Sequence, residues 1–166
     1  MKAFASCCKA RLGVARISLQ IDIGFGDVIT PAPIEVEYPT MLAFPAPKLR
    51  AYPRETVVAE KFEAMVRLGM ANSRMKDFYD VWELSRRFDF EGSTLMAAIQ
   101  ATFKRRATAF PPGTPVPLSP EFHDASSKRT QWTAFFKKFL LPIILAIQKD
   151  EPFNLRWNAG RSWEEK

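Results

Sequence analysis

Cysteine is almost missing from this chain: among 166 residues only Cys7 and Cys8 are cysteine, and they are adjacent. Neighbouring cysteines make a strained disulfide at best, and no CxxC spacing exists. A disulfide framework and a cysteine-based zinc site are therefore not indicated. Two reduced thiols fit a cytoplasmic protein. Histidine is scarcer still. The single His123 stands in a proline-rich stretch and reads as a solvated side chain. A long apolar run is also lacking. The longest, residues 135–147, is interrupted by Lys137, Lys138 and Pro142 and is too short to span a bilayer. The opening MKAFASCCKARLGVAR has basic residues but not the apolar stretch of a secretory signal. No membrane partner is expected.

What is present is a core and a mild positive charge. Hydrophobic residues make up 47%, enough for one domain of ordinary size. The net charge is +6 and the isoelectric point about 9.5. That excess permits an anionic partner such as RNA or a nucleotide without requiring one.

Residues 15–25 alternate. Ile17, Leu19, Ile21, Ile23 and Phe25 fall on one side; Ser18, Gln20, Asp22 and Gly24 fall on the other. A period of two predicts a half-buried strand. Gly24, Gly26 and Asp27 mark its end and a turn. Residues 30–53 hold six prolines (Pro31, Pro33, Pro39, Pro45, Pro47, Pro53), which excludes a long helix. Short extended pieces are expected at 41–44 and 48–51. Tyr38, Leu42, Phe44, Leu49 and Tyr52 are expected to bury, making an ordered connector.

Helical spacing then takes over. Val57, Val58, Phe62, Met65, Val66 and Leu68 predict a helix over 54–68, with Pro53 suiting its start and Gly69 its stop. A second helix is predicted after Asn72 or Ser73 as cap and runs to about Arg87, with Phe78, Val81, Trp82 and Leu84 inward. Ser93 is expected to cap a third over 94–106. Residues 111–120 read as a loop, and 128–149 as one or two helices with a bend at Pro142. The tail 151–166 reads as irregular, anchored by Trp157 and Trp163. The division expected is residues 1–52, a helical domain over 53–150, and that tail.

Charges sit unusually within these apolar helices. Lys61 lies on the first; Lys76, Asp77 and Asp80 lie on the second. Burying an unpaired charge costs several kcal/mol. Such groups either pair to hold the helices together or face a site. Lys61 suits a phosphate clamp; its alternative is a solvated helix face shared with Glu60, Glu63 and Arg67. Arg74, Lys76, Asp77 and Asp80 can position a phosphate, or can form a salt-bridge network at a helix start. Asp77 and Asp80 are i, i+3 and share a side, while Lys76 and Asp80 are i, i+4 and can pair. Asp22 can ligate a divalent metal or serve as general base, or is a surface aspartate.

Three blocks carry a resemblance: QIDIGFGD from Gln20, AYPRETVVAEKFEAMVRLG from Ala51, and NSRMKDFYDVW from Asn72. In order and spacing they resemble the AbiEii/AbiGii toxin family. This is a nucleotidyltransferase-like group related to the DNA polymerase beta superfamily that includes the MenT toxins. The resemblance implies an α+β fold, a nucleotidyltransferase-type sheet followed by a mainly helical region. It implies the toxin of a toxin–antitoxin or abortive-infection system, with a cognate antitoxin as partner. It also implies use of a nucleoside triphosphate with magnesium, and an RNA acceptor such as tRNA. By position, Asp22 matches the family's strand aspartate, a metal ligand. Lys61 matches the lysine that contacts the triphosphate, and Asp77 the second essential carboxylate. Arg74, Lys76 and Asp80 match substrate-binding positions of the same signature.

One departure shapes the functional expectation. The family opens with a GS or GG turn and a strand bearing a DxD carboxylate pair; the first 13 residues here hold no GS or GG, and Asp22 and Asp27 do not make a DxD. Those carboxylates hold the metals that activate the acceptor hydroxyl and stabilise the leaving pyrophosphate. The sheet is therefore expected to be partial, lacking its first strands. A truncated nucleotidyltransferase toxin is the first reading. The alternative is a catalytically inactive remnant or a module that binds antitoxin or RNA. A purely structural helical domain is a third.

Overall fold

The alternation from Ala15 onward builds a long strand, and its partner is the segment just before it. The computed structural model describes residues 2–72, 74–119, 122 and 130–165. In it β1 (Lys2–Leu12) and β2 (Ala15–Phe25) form an antiparallel hairpin whose register runs unbroken from Lys2↔Phe25 to Leu12↔Ala15. Gly13 turns the chain at φ +59°, a left-handed value that suits glycine. Ile17, Leu19, Ile21, Ile23 and Phe25 share a side, as expected. The expected half-burial is not found, because no member of the hydrophobic core lies on the hairpin. Even the least exposed of the five, Ile23, keeps 41% of its surface in water.

The proline-rich segment folds as a second, short hairpin. β3 (Ile34–Glu37) pairs antiparallel with β4 (Lys48–Ala51), so the extended piece predicted at 48–51 is present. The piece predicted at 41–44 is instead a bend, closed by the Phe44 amide on the Leu42 carbonyl at 2.7 Å and the Thr40 hydroxyl on the Phe44 carbonyl at 3.2 Å. Tyr38, Leu42, Phe44, Leu49 and Tyr52 are exposed rather than buried, since the helices close the core without them. One contact fixes the connector to the helices. The buried Thr56 hydroxyl accepts from the Thr30 amide at 3.0 Å and donates to the Thr30 carbonyl at 2.8 Å.

The helices follow the sequence closely. α1 (Arg54–Leu68) starts after Pro53 and stops at Gly69, which has φ +51°. A short 3-10 turn, Gly69–Ala71, reverses the chain into α2 (Met75–Arg87). Asn72 helps that start indirectly: its Oδ1 accepts from the Arg74 amide at 2.9 Å, just ahead of the helix. Ser73, the other expected cap, lies outside the described residues, as do His123 and the predicted helix start at Lys128. α3 (Gly92–Arg106) begins earlier than expected, and Ser93 sits inside its first turn rather than capping it. α4 (Thr130–Phe139) and α5 (Leu141–Lys149) realise the predicted bend. Pro142 falls in the first turn of α5, where a missing N–H costs nothing. The loop 111–120 contains a 3-10 turn, Val116–Leu118.

The tail is more regular than predicted. β6 (Arg156–Trp157) lies between β5 (Phe90–Glu91) and β7 (Trp163–Glu164). Both tryptophans anchor it. Trp157 Nε1 donates to the Ser85 carbonyl at 2.8 Å and Trp163 Nε1 to the Phe139 carbonyl at 3.0 Å. The core joins α1 through α5, with Phe62, Met65, Phe78, Leu95, Ile99, Phe139 and Ile143 all buried. The fold class is α+β, and among the described residues no helix is long and apolar enough to cross a membrane.

The early start of α3 has a measurable consequence. The Gly92 amide donates to the Leu155 carbonyl at 2.7 Å. A Cβ there would meet Phe153 Cδ1 at 2.5 Å and the Leu155 carbonyl oxygen at 2.6 Å. Gly92→Ala is therefore expected to cost about 1–3 kcal/mol by overpacking. Urea unfolding of the two proteins measures it, and an unchanged midpoint refutes the close approach.

Candidate anion-binding cleft

α1 and α2 run back to back around the Gly69–Ala71 turn, and this brings Lys61 against two carboxylates. Its ammonium donates to Asp77 Oδ1 at 3.1 Å and to Asp80 Oδ2 at 2.7 Å. Lys76, one turn before Asp80, donates to the same Oδ2 at 2.7 Å. Arg74 Nε stands 2.8 Å from Asp77 Oδ2. The alignment of that ion pair is too poor for a hydrogen bond, so this buried oxygen has no hydrogen-bond donor among the described residues. The sequence-predicted residues Lys61, Arg74, Lys76, Asp77 and Asp80 are thus one cluster. Asp22 is not part of it. It lies exposed on β2, where its Oδ1 accepts from Gln20 Nε2 at 2.7 Å.

The cluster holds its charges firmly. Burial works against the Lys61 ammonium, but hydrogen bonds to Asp80 and Asp77 outweigh it and raise the Lys61 pKa. Burial likewise disfavours ionised Asp80, and Lys61 and Lys76 outweigh it, lowering the Asp80 pKa. The signs of the linkage differ. A raised lysine pKa stabilises the fold below the unfolded value of about 10.4 and loses that as pH climbs through the folded value. A lowered aspartate pKa stabilises above about 3.9 and loses that as pH falls through the folded value. The difference in stability between wild type and a Lys61→Met, Asp80→Asn double variant is expected to be flat across neutral pH and to shrink on both flanks. Urea midpoints across pH test this, and a difference that grows toward either flank sinks it.

A second charge centre was not anticipated. Arg106, at the end of α3, donates from Nη1 to Glu63 Oε2 at 2.7 Å. Its Nη2 stands 3.5 Å from Glu60 Oε1 and 3.7 Å from Asp27 Oδ1. Glu63 is wholly buried, not on the solvated face considered for it. It also accepts from Thr108 Oγ1 at 2.6 Å and Arg67 Nε at 3.1 Å. Burial pushes its pKa up, and the bonds from Thr108 and Arg106 pull it below the ordinary value. Glu60 goes the other way, because burial outweighs Arg106. Arg105 Nε donates to the Gly26 carbonyl, so the arginine pair holds the turn after β2. A helical signal existed for Glu63: Thr56, Ala59 and Glu63 fall at i, i+3 and i+7, on the buried stripe of α1.

The two centres enclose adjoining spaces. One, about 260 Å³, is lined by Val57, Glu60, Lys61, Ala64, Arg67, Arg74, Asp77 and Arg106. The other, about 360 Å³, is lined by Gly26, Asp27, Arg67, Arg105 and Arg106. Arg67 and Arg106 border both, so the two spaces adjoin, and five cations outnumber the carboxylates Asp27, Glu60 and Asp77 on their walls. An anion of several charges is the ligand such walls favour.

A magnesium ion fits poorly. Among the described residues no three Asp, Glu, His or Cys side chains converge as a metal site requires. Asp22, the expected ligand, stands alone, and Asp77 and Asp80 already face Lys61, Arg74 and Lys76.

A family model described as nucleotidyl transferase AbiEii toxin, type IV TA system, matches residues 4–154. The chain belongs to this family. No curated protein and no solved structure matches it. AbiEii membership makes the chain kin to nucleotidyl-transferring toxins of toxin–antitoxin systems, a setting that brings an antitoxin partner and nucleotide use. In this AbiEii chain the matched span includes both charge centres and the cleft between them.

Proposed function

We propose that this chain supplies the phosphate-holding half of an AbiEii-type nucleotidyl transfer site, with residues 53–150 as its helical domain. The carrying observation is the cleft bordered by Lys61, Arg67, Arg74, Arg105 and Arg106. Lys61 and Arg74 hold a nucleoside triphosphate by its phosphates. Asp77 and Asp80 orient Lys61 and keep it charged, and Lys76 assists from the rim. No step runs through magnesium, and Asp22 takes no part in the binding half. Such a site binds nucleotide without completing transfer to tRNA.

The test is incubation with magnesium, each labelled nucleoside triphosphate and total tRNA, beside a direct nucleotide-binding titration without metal. Binding lost in Lys61→Ala, with no label on tRNA, supports the proposal. Label transferred by wild type alone means that the site is complete, and the binding-only reading fails.

A second reading is favoured by one observation, the lack of three converging metal ligands among the described residues. In that reading the chain only binds antitoxin or RNA. Such binding tolerates Lys61→Ala and Asp77→Ala and weakens steeply with salt.

A further inference from the structure

The β1–β2 hairpin carries an apolar face that the fold leaves open. From the Phe4↔Ile23 pair to the Leu12↔Ala15 pair, that face bears Phe4, Cys8, Leu19 and Ile21 and no charged residue. Lys9, Arg11, Arg16 and Asp22 all fall on the opposite face. Phe4 is 61% exposed, and Leu19 and Ile21 are each 52% exposed. No core member lies on the hairpin, and its sheet has two strands among the described residues. A lone two-stranded hairpin is marginal in water and gains independence by packing its apolar face. A contiguous exposed patch of this kind marks an interaction surface.

The chemistry of the face selects its occupant. An uncharged surface meets a copy of itself without repulsion, whereas the cations on the far side prevent stacking through that side. The Cys8↔Leu19 pair is the midpoint of that uncharged stretch, which ends before the Lys2↔Phe25 pair. A two-fold axis there superposes the two faces along their whole length, with no apolar overhang. Nine residues at about 3.3 Å rise give a face about 30 Å long. Two such faces bury on the order of 1,000 Å² in total, the lower limit for a specific interface. We propose that a second copy of this chain covers this face, the two hairpins packing apolar side to apolar side about a two-fold axis. The proposal stands independently of the nucleotide-binding reading.

The adjacent cysteines provide the test. Alternation puts Cys8, opposite Leu19, on the apolar face near the axis, and Cys7, opposite Gln20, on the polar face. Both are free thiols. In the full chain treated with a bismaleimide that spans the roughly 10 Å between packed sheets, Cys7→Ser, which keeps Cys8, is expected to form a covalent dimer, and Cys8→Ser is not. In the native protein Cys8 is expected to react with a maleimide about tenfold more slowly than Cys7, the protection that a 1.4 kcal/mol association supplies. Sedimentation is expected to show a dimer, and a monomer for Ile21→Lys with its helical circular dichroism intact. If Ile21→Lys loses that signal, the two serine variants decide alone. A monomer at every soluble concentration overturns the proposal, as does cross-linking through Cys7 as ready as through Cys8. A different protein as the natural cover would leave the purified chain monomeric with equally reactive thiols, and so also overturns it.

Discussion

Arg106→Ala is expected to destabilise the protein by about 3 kcal/mol, the largest effect of any single change in the cleft. The reason is what it leaves behind. Glu63 is completely out of water, and its Oε2 takes its hydrogen bond from Arg106 at 2.7 Å. Thr108 and Arg67 remain, but both bond Oε1. A buried carboxylate that loses its main cation keeps the desolvation cost without the compensating attraction. One control separates this from simple loss of packing. Glu63→Gln on the Arg106→Ala background is expected to restore much of the stability, because the stranded charge is gone. Two neighbours of this kind couple by about 0.5–3 kcal/mol in a double-mutant cycle.

The pH dependence follows the same logic. In wild type the lowered Glu63 pKa contributes stability above the unfolded value, lost as pH falls through the folded value. In Arg106→Ala only Thr108 and Arg67 are left to oppose burial, so much of that lowering is lost. The variant's deficit is then largest at neutral pH and narrows as the medium becomes acidic. Urea midpoints at several pH values measure this, and a deficit independent of pH rules out the stranded charge.

Arg106 also marks the limit of what the sequence makes legible. Lys61, Asp77 and Asp80 are readable because they sit on two successive helices with i, i+3 spacing, so one short turn fixes their meeting. Glu63 and Arg106 are 43 residues apart, and nothing local says that the end of α3 returns to the middle of α1. The same division runs through the fold. Pro53 and Gly69 bound α1 by their own backbone chemistry, so its span is readable to the residue. Ser93 misleads because the start of α3 is set from a distance, by the Leu155 carbonyl. β1 hides because Ala3, Ala5, Ser6 and the two cysteines dilute its alternation. Asp22 is on the predicted strand, yet no sequence pattern states where a hairpin points. Of the two aspartates at this strand and its turn, it is Asp27, beyond the turn, that lines the cleft.

Lys61→Met and Asp80→Asn are expected to move anion affinity in opposite directions. Removing the Lys61 ammonium deletes a charge-assisted contact to phosphate, worth about 1.5–3 kcal/mol, so tripolyphosphate or nucleoside triphosphate binds about 10–100-fold more weakly. The fold tolerates the change, since Asp77 keeps Arg74 at 2.8 Å and Asp80 keeps Lys76 at 2.7 Å. Neutralising Asp80 does the reverse. Its Oδ2 competes for Lys61 at 2.7 Å, and without that charge the ammonium turns more readily to a ligand while the cleft becomes more positive. Affinity should rise severalfold, and the rise should fade with added salt because the cleft is open to solvent. Calorimetric titration of both variants with tripolyphosphate reads the two signs directly. If Lys61 merely ties α1 to α2, either variant loses stability and neither changes affinity. If it is the phosphate contact, only one binds more weakly, and the other binds better than wild type.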